Sequence, residues 1–317
     1  MNPRKLIRLL WFTRNLGTAL HAWRSGIPWM HLERRGKTVV MKGTNILCEH
    51  LPTPLPDGLS YQIGFLAPFD FNFEVASNEG RSTIRVDTGS VKLWLDGADV
   101  TFIVEEVFGN QEYGALLSEP SIVIDIGMNV ATTALYFAKE KPVKRVIAFE
   151  PYPEAIERAE RNLAINPEIA HKIEIRRYAL GETNGTACLE VDPKLSTISK
   201  IAREPQLEKH DSKRFVVEMR DAEAELQSIL AELGKDERII LKVDCEGSER
   251  EIFQRLSSRT LSRIGVILLE WHHPEILDEI RQKLQKLDFQ LLARRREKDV
   301  GMLYAFRRPA SLTNACT

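Results

Sequence analysis

The chain is poor in cysteine. Its four cysteines, Cys48, Cys188, Cys245 and Cys316, lie far apart, and no two form a C-x-x-C pair. That spacing excludes a zinc ribbon and offers no disulfide framework, so a reduced, cytoplasmic setting is expected. Long apolar runs are missing too: none approaches the ~18 residues of a membrane-spanning helix. Neither sign of charge dominates, with 44 Lys and Arg against 45 Asp and Glu. So balanced a chain has no field to draw it onto nucleic acid, and no nucleic-acid partner is expected. Internal repeats are absent as well. What remains is an ordinary globular composition, 43% hydrophobic and 28% charged over 317 residues, enough for one large domain or two modest ones.

From Arg4 to Trp23 the sequence is basic and partly apolar. Leu6, Leu9, Leu10, Phe12, Leu16, Leu20 and Trp23 form a broad stripe at helical spacing, with Lys5, Arg8 and Arg14 elsewhere. Arg8 and Arg14 interrupt the run, so it is not a secretory signal. Such a helix either docks on its own domain or makes peripheral contact with a membrane, drawn to anionic lipid. From about 37 to 110 the texture turns to β-branched and aromatic residues. Strands are expected at 38–41, 83–87, 91–95 and 100–107, with a hairpin at Asp96-Gly97 and a loop through Pro52, Pro54 and Pro56.

From about 118, short apolar runs alternate with helical patterns. Strands are expected at 122–125, 145–150, 172–178, 239–244 and 266–270. Helices are expected over 130–139, 153–166, 221–233, 248–256 and about 275–287. Residues 289–292 and 302–306 would close the sheet as an antiparallel pair, and the polar stretch 193–213 reads as a loop over the site. The alternation implies an α/β, Rossmann-like, mostly parallel sheet. Ligands then bind outside the carboxyl ends of the strands, at the switch point. The residues that end strands are Asp125, Glu150, Ala179, Asp244 and Glu270.

Asp125-Ile-Gly127-Met-Asn129-Val-Ala131 places an acid at a strand end and a glycine in the turn after it. Glu150 ends the next strand 25 positions on, where a carboxylate can accept both hydroxyls of a ribose. A dinucleotide site needs G-x-G-x-x-G, and only Gly127 is present. A carboxylate beside the turn would also repel a pyrophosphate. It suits a cationic amino-acid nucleoside, which points to S-adenosylmethionine, with its ammonium and sulfonium.

Four blocks then carry a specific resemblance. Val123-Ile-Asp-Ile-Gly-Met-Asn-Val-Ala131, Ala148-Phe-Glu-Pro-Tyr-Pro-Glu154, Asn162-Leu-Ala-Ile-Asn166 and Leu241-Lys-Val-Asp-Cys-Glu-Gly-Ser-Glu249 together resemble the FkbM family of methyltransferases, in order, over about 118–275. Glu105-Glu-Val-Phe-Gly-Asn-Gln-Glu-Tyr113 resembles the segment that precedes its first strand. The resemblance implies a class I methyltransferase fold with a seven-stranded sheet. It implies that Asp125, Gly127 and Asn129 line the methionine part of the cofactor, that Glu150 holds the ribose, and that Ala179 and Leu180 flank the adenine. It also implies O-methylation of a saccharide or natural-product hydroxyl. Ala131 replaces the family's usual second glycine, and Met219-Arg220-Asp221 stands where the family usually has Thr-Leu-Asp. The organisation expected is a helical segment 1–36, a β-rich region 37–117, a methyltransferase domain 118–310 and a tail 311–317.

Methyl transfer to an alcohol needs a base as the C–O bond forms, worth roughly 10²–10⁴-fold. The candidates are Asp244, Glu246, Glu270 and His272. Asp244 is preferred because a strand-end carboxylate at the switch point would sit nearest the methyl. His272 is second because an imidazole titrates near neutral pH. Lys242 and Glu249 read as ion-pairing residues, His273 as the cap of the next helix and Trp271 as core. No metal is assigned, although the same carboxylates with His272 form a set that could take a divalent ion. A nicotinamide-dependent oxidoreductase and a non-catalytic nucleoside-binding protein are the competing classes.

Overall fold

The computed structural model describes residues 3–51, 59–78, 81–96, 98–114, 117, 119–192, 195–201, 213–234, 237–296 and 298–307. The chain divides into two compact units, Met1–Gly114 and Ala115–Thr317. The proline loop around Pro52, Pro54 and Pro56, and the tail 311–317, lie outside the described residues.

In the first unit, helices α1 (Pro3–Thr13) and α2 (Leu16–Arg24) replace the single helix expected from the stripe. The break has a local cause. Arg14 takes a left-handed φ of 52°, and the Asn15 side chain caps α2 by accepting from the Thr18 N–H at 3.0 Å. Strands β1 (Leu32–Arg35) and β2 (Thr38–Met41) form a hairpin. Helix α3 (Leu59–Leu66) follows, then β3 (Asn72–Asn78), β4 (Arg81–Asp87) and β5 (Lys92–Leu95) in a three-stranded antiparallel sheet.

Two expectations fail in this unit. The tight turn lies between β4 and β5, where the Thr88 N–H donates to the Val91 carbonyl, not at Asp96-Gly97. Gly97 itself is outside the described residues. Residues 100–107, expected as a strand, belong to helix α4 (Ala98–Val104) and a π-helical turn, Glu105–Gly109. The buried side chains Val100, Val104, Val107 and Phe108 recur at helical spacing, so burial overrode the β-branched composition.

The second unit holds strands β6 (Ser121–Ile126), β7 (Val143–Phe149) and β8 (Ile173–Arg176), joined through helices α5 (Thr132–Ala138), α6 (Pro153–Ala164) and α7 (Pro167–Ala170). Strands β9 (Ala179–Gly181), β10 (Gly185–Asp192), β11 (Leu195–Ile201) and β12 (Lys213–Asp221) come next. They precede α8 (Ala222–Glu232), β13 (Arg238–Val243), α9 (Glu249–Arg255), α10 (Ser258–Ser262) and β14 (Ile264–Trp271). Helix α11 (Pro274–Gln285), β15 (Gln290–Arg295) and β16 (Gly301–Phe306) end the described fold. The main sheet has the order β15-β16-β14-β13-β6-β7-β8, and only β16 runs antiparallel to its neighbours. This is the seven-stranded, mostly parallel α/β sheet of the class I methyltransferase fold, the class that the resemblance implied. The chain leaves β6 toward β7 and β8, then returns to the other side of β6 as β13. The switch point therefore lies between the carboxyl ends of β6 and β13.

Strand β6 is buried at all six positions, as the continuous apolar run required. Ile124, Ile147, Leu241 and Ile267 from four adjacent strands share one core with Leu226 of α8 and Phe253 of α9. Each such side chain contributes about 1.5–3 kcal/mol of burial. The stretch expected as a loop, 193–213, includes strand β11; 193–194 and 202–212 are outside the described residues. Strands β11-β10-β12-β9 form a second sheet. Leu189, Val191 and Val217 of that sheet pack on Tyr152 and Ala155 at the start of α6. Its alternation is broken by charged residues, which is why it does not show as a strand pattern in the sequence. Among the described residues, no helix is long and apolar enough to cross a membrane.

Candidate active site

The carboxyl end of the main sheet opens into a cleft of about 610 Å³, counted to its open mouth. Gly127 and Asn129 follow β6; Phe149, Glu150 and Pro151 end β7; Tyr178, Ala179 and Leu180 follow β8; Asp244, Cys245, Glu246 and Ser248 follow β13; Leu189 comes from the second sheet. Of the expected cofactor residues, Gly127, Asn129, Glu150, Ala179 and Leu180 thus line one cavity. Ile126, Phe149, Pro151, Tyr178, Leu189, Cys245 and Ser248 were not anticipated. Apolar wall residues carry no chemical signature in a sequence.

Asp125 does not line the cleft. It pairs in register with Lys242 on the adjacent parallel strand, so the two side chains emerge side by side on one face of the sheet. Both are buried, with the Lys242 Nζ 3.0 Å from Asp125 Oδ1 and 3.6 Å from Asp244 Oδ2. Nζ also donates to the Gly127 carbonyl at 2.6 Å. Burial pulls the ammonium toward its neutral form, but Asp125 and Asp244 more than offset this and hold it protonated. For Asp125, burial favours the neutral form and Lys242 opposes it. With an ammonium 3.0 Å away the pair is ionic. Asp125 therefore serves first as an internal counter-ion beneath the turn, which corrects the expectation that its charge faces the ligand directly.

The turn itself explains its residues. Gly127 has φ 83°, and a Cβ there would lie 1.7 Å from the Asp244 carbonyl oxygen. The glycine thus lets the loops after β6 and β13 touch. Asn129 (φ 55°) and Ala131 (φ 66°) are left-handed as well. Asn tolerates that region, whereas Ala carries a cost of roughly 1–2 kcal/mol. The departure at 131 matters through backbone strain rather than through space. Asn162 of α6 steadies this loop from behind, donating to the Val130 carbonyl at 2.9 Å.

Glu150 accepts from the Asn129 N–H through Oε2 and from the Tyr152 N–H through Oε1, both at 2.9 Å. Burial pushes its carboxyl up to about 7, against the opposing effect of those two N–H groups. Each oxygen keeps a further lone pair, so the ionised group can still accept from a diol.

On the far wall, four acids surround one imidazole. His272 Nδ1 lies 2.9 Å from Glu249 Oε1, and Nε2 lies 3.4 Å from Glu246 Oε2 and 4.0 Å from Glu270 Oε1. Burial opposes the charged ring, but the bond to Glu249, with Glu246 and Asp244 nearby, pushes its pKa up to about 9. His272 is thus an imidazolium at neutral pH, which removes it as a neutral general base. Glu270 is bound by Arg296 Nη1 at 3.1 Å and does not line the cleft, so it too is withdrawn from the base candidates. Glu249, read as an ordinary ion-pairing residue, is fully buried and accepts from the N–H groups of Cys245 and Gly247 at 3.2 and 3.0 Å. In the sequence it closes the Leu241–Glu249 block and stands at the start of α9. Burial raises the Cys245 thiol well above its ordinary value, which excludes a thiolate nucleophile. Met219 and Arg220 do not line the cleft: Met219 packs on Gly181, and the Arg220 guanidinium stacks 3.8 Å from the ring centroid of the cleft residue Tyr178. Asp221 caps α8 by accepting from the Ala224 N–H. Trp271 is core, and His273 occupies the N-cap position of α11 without a side-chain bond.

Of the four base candidates, Asp244 and Glu246 line the cavity, as Glu150 does at the end of β7. A carboxylate oxygen each of Asp244 and Glu246 and a nitrogen of His272 all lie within 4.8 Å of one another.

A family model described as a methyltransferase FkbM domain matches residues 125–291, just over half of the 317-residue chain. The AMB antimetabolite synthetase AmbE of Pseudomonas aeruginosa is 25% identical over 230 residues, which is 63% of this chain but only 11% of AmbE. Methyltransferase sdnD of Sordaria araneosa is 26% identical over 222 residues, 63% of this chain and 85% of that protein. The 31-O-demethyl-FK506 methyltransferase FkbM of Streptomyces tacrolimicus is 22% identical over 214 residues, covering 60% and 81%.

Proposed function

The chain belongs to the FkbM methyltransferase family, and from that premise we propose that it transfers a methyl group from S-adenosylmethionine to a hydroxyl oxygen of a small-molecule or saccharide acceptor. The observation that carries this reading is the excess of acid around the switch-point cleft. Among the described residues, Asp125, Asp244, Glu246, Glu249 and Glu270 gather there with Lys242, His272 and Arg296. A cationic donor relieves that excess, and an anionic dinucleotide would worsen it. The site fits the donor on a second count: Glu150 lines the cleft with a further lone pair on each oxygen for the hydroxyls of a ribose. The name of the Streptomyces relative specifies an O-demethyl substrate, which supports oxygen as the acceptor atom.

On this reading Glu150 accepts the ribose hydroxyls, and Tyr178, Ala179, Leu180 and Phe149 enclose the adenine. Gly127 and Asn129 border the methionine part. When bound, the donor supplies an electrophilic methyl group. Asp244 accepts the proton of the acceptor hydroxyl as that oxygen becomes nucleophilic, and Lys242 at 3.6 Å fixes its carboxylate in place. Glu249 orients His272, and the imidazolium in turn holds Glu246 at the rim. The walls supply the alignment that makes the transfer effectively intramolecular. Titration calorimetry with S-adenosylhomocysteine, beside NAD as control, tests the donor. Micromolar binding of the former alone is expected, and binding of NAD alone would overturn the assignment.

Glu150 makes that binding pH-dependent. Its carboxyl, at about 7, lies above the ordinary 4.5, so the folded chain holds a proton that the unfolded chain has lost between those values. Fold stability contributed by this group therefore declines as pH rises through that window. Donor binding runs the other way, because only the carboxylate accepts two hydroxyls. Affinity for S-adenosylhomocysteine should strengthen from pH 6 to pH 8, by up to about tenfold per unit below 7. Calorimetry in buffers of different ionisation enthalpy should show proton release, and Glu150→Gln should abolish it.

One observation favours a second route to the same product. Asp244, Glu246 and His272 have the spacing of ligands to a divalent ion, which would acidify the acceptor hydroxyl directly. Turnover after dialysis against EDTA, with and without added Mg²⁺ or Mn²⁺, separates the two. Turnover unchanged by chelation supports Asp244 as the base, and turnover restored only by metal supports the ion.

A further inference from the structure

Apolar exposure is concentrated at one end of the sequence. Of the ten large apolar side chains exposed among the described residues, six lie within the first thirty: Ile7, Leu10, Trp11, Leu16, Trp29 and Met30. Three of them share α1. Ile7 (67% exposed), Leu10 (40%) and Trp11 (81%) stand at i, i+3 and i+4 and so form one face. Leu9 and Thr13 of the same helix are buried, so α1 is anchored through its other face. Phe12 packs against Trp29 with ring centroids 6.0 Å apart, which brings Trp29 and Met30 up to the side of α1 and widens the patch. Scattered exposed apolar residues need no explanation, but a contiguous patch on a monomer marks a docking surface.

Charge identifies the occupant. No Asp or Glu occurs before Glu33, while Arg4, Lys5, Arg8, Arg14 and Arg24 are all basic, in a chain whose overall charge is −1. On α1, Arg4 and Arg8 continue the helical surface next to Trp11. A protein partner buried on Ile7, Leu10 and Trp11 would have to match both the apolar strip and five cations. An anionic bilayer offers acyl chains and negative headgroups together, and tryptophan favours its interface. The helix spans 11 residues, about 16 Å, roughly half of a hydrocarbon core, so it can lie in the interface and cannot cross it.

We propose that the α1–α2 hairpin, with Trp29 and Met30, docks on an anionic lipid surface, making this enzyme a peripheral membrane protein. The proposal stands apart from the choice of donor and acceptor, since none of these residues belongs to the cleft. The test uses the full chain and vesicles of phosphatidylcholine alone or with about 30% phosphatidylglycerol, by co-sedimentation and tryptophan fluorescence. Binding to the anionic vesicles is expected, with a blue shift from Trp11, and with at least tenfold weaker partition onto neutral vesicles and in 0.5 M salt. The double variant Ile7→Glu/Trp11→Glu should lose partition at least tenfold while keeping its far-ultraviolet dichroism and S-adenosylhomocysteine affinity, as both sites are exposed. Arg4→Glu/Arg8→Glu should weaken it on anionic vesicles only. Failure of the wild-type chain to sediment with anionic vesicles overturns the proposal. So does retention of binding in Ile7→Glu/Trp11→Glu, or a dimer in light scattering that this variant dissolves while vesicle binding is absent.

Discussion

Replacing Lys242 by Met should destabilise the protein by about 3–5 kcal/mol, the cost of leaving a buried charge without its partner. Methionine keeps most of the aliphatic stem, so little of that loss comes from packing. What disappears is the ammonium between Asp125 and Asp244 and its bond to the Gly127 carbonyl. Asp125 is fully buried and cannot turn to water, so it must take up a proton or remain an isolated ion. Two controls give the prediction its edge. Lys242→Met/Asp125→Asn removes both charges and should recover most of the loss, with a coupling energy of about 2 kcal/mol or more. Added salt should leave the single-variant deficit unchanged, because a buried pair is barely screened. Urea unfolding at pH 7.5 measures all three. A deficit under 1 kcal/mol in Lys242→Met would show that the pair is not the internal ion pair described above. By the same logic Asp125→Ala is not a clean probe of donor binding, since it strands Lys242 in turn.

Asp244→Asn should lower kcat by about 10²–10⁴ and leave the affinity for S-adenosylhomocysteine within a few-fold. The amide keeps the shape of the side chain and its place in the cleft lining, yet cannot accept a proton. Lys242 loses the counter-ion 3.6 Å away and retains Asp125 at 3.0 Å, so the fold should tolerate the change. The comparison that matters is with Glu246→Gln, the other base candidate that lines the cavity. If Asp244 is the base, its variant falls furthest in kcat, and Glu246→Gln shifts KM more than kcat. A variant Asp244→Asn that turns over at the wild-type rate would transfer the role of base away from this residue.

The main sheet was legible because its strands are buried on both faces and therefore read as unbroken apolar runs, as in β6 and β14. The cleft residues at strand ends were legible because the switch-point rule singles out those positions: Glu150 and Asp244 both line the cavity. The second sheet was not legible, because β12 alternates charge with half-buried positions and nothing in its composition separates it from a polar loop. Helix α4 was misread because β-branched residues suggested a strand where burial at 100, 104 and 107 follows a helical period.

By itself the sequence determined the family, the order of strands and helices in the main sheet and the chemical types gathered at its carboxyl edge, since these follow from local pattern and from motifs within single segments. The tertiary structure alone decided which acids face the cavity and what charge each group carries. Those properties depend on the register of β6 against β13, which sets Lys242 beside Asp125, and on the approach of β14 to the loop after β13, which surrounds His272 with Glu249, Glu246 and Glu270. Burial and proximity between segments far apart in the chain shift a proton, and no single segment contains them.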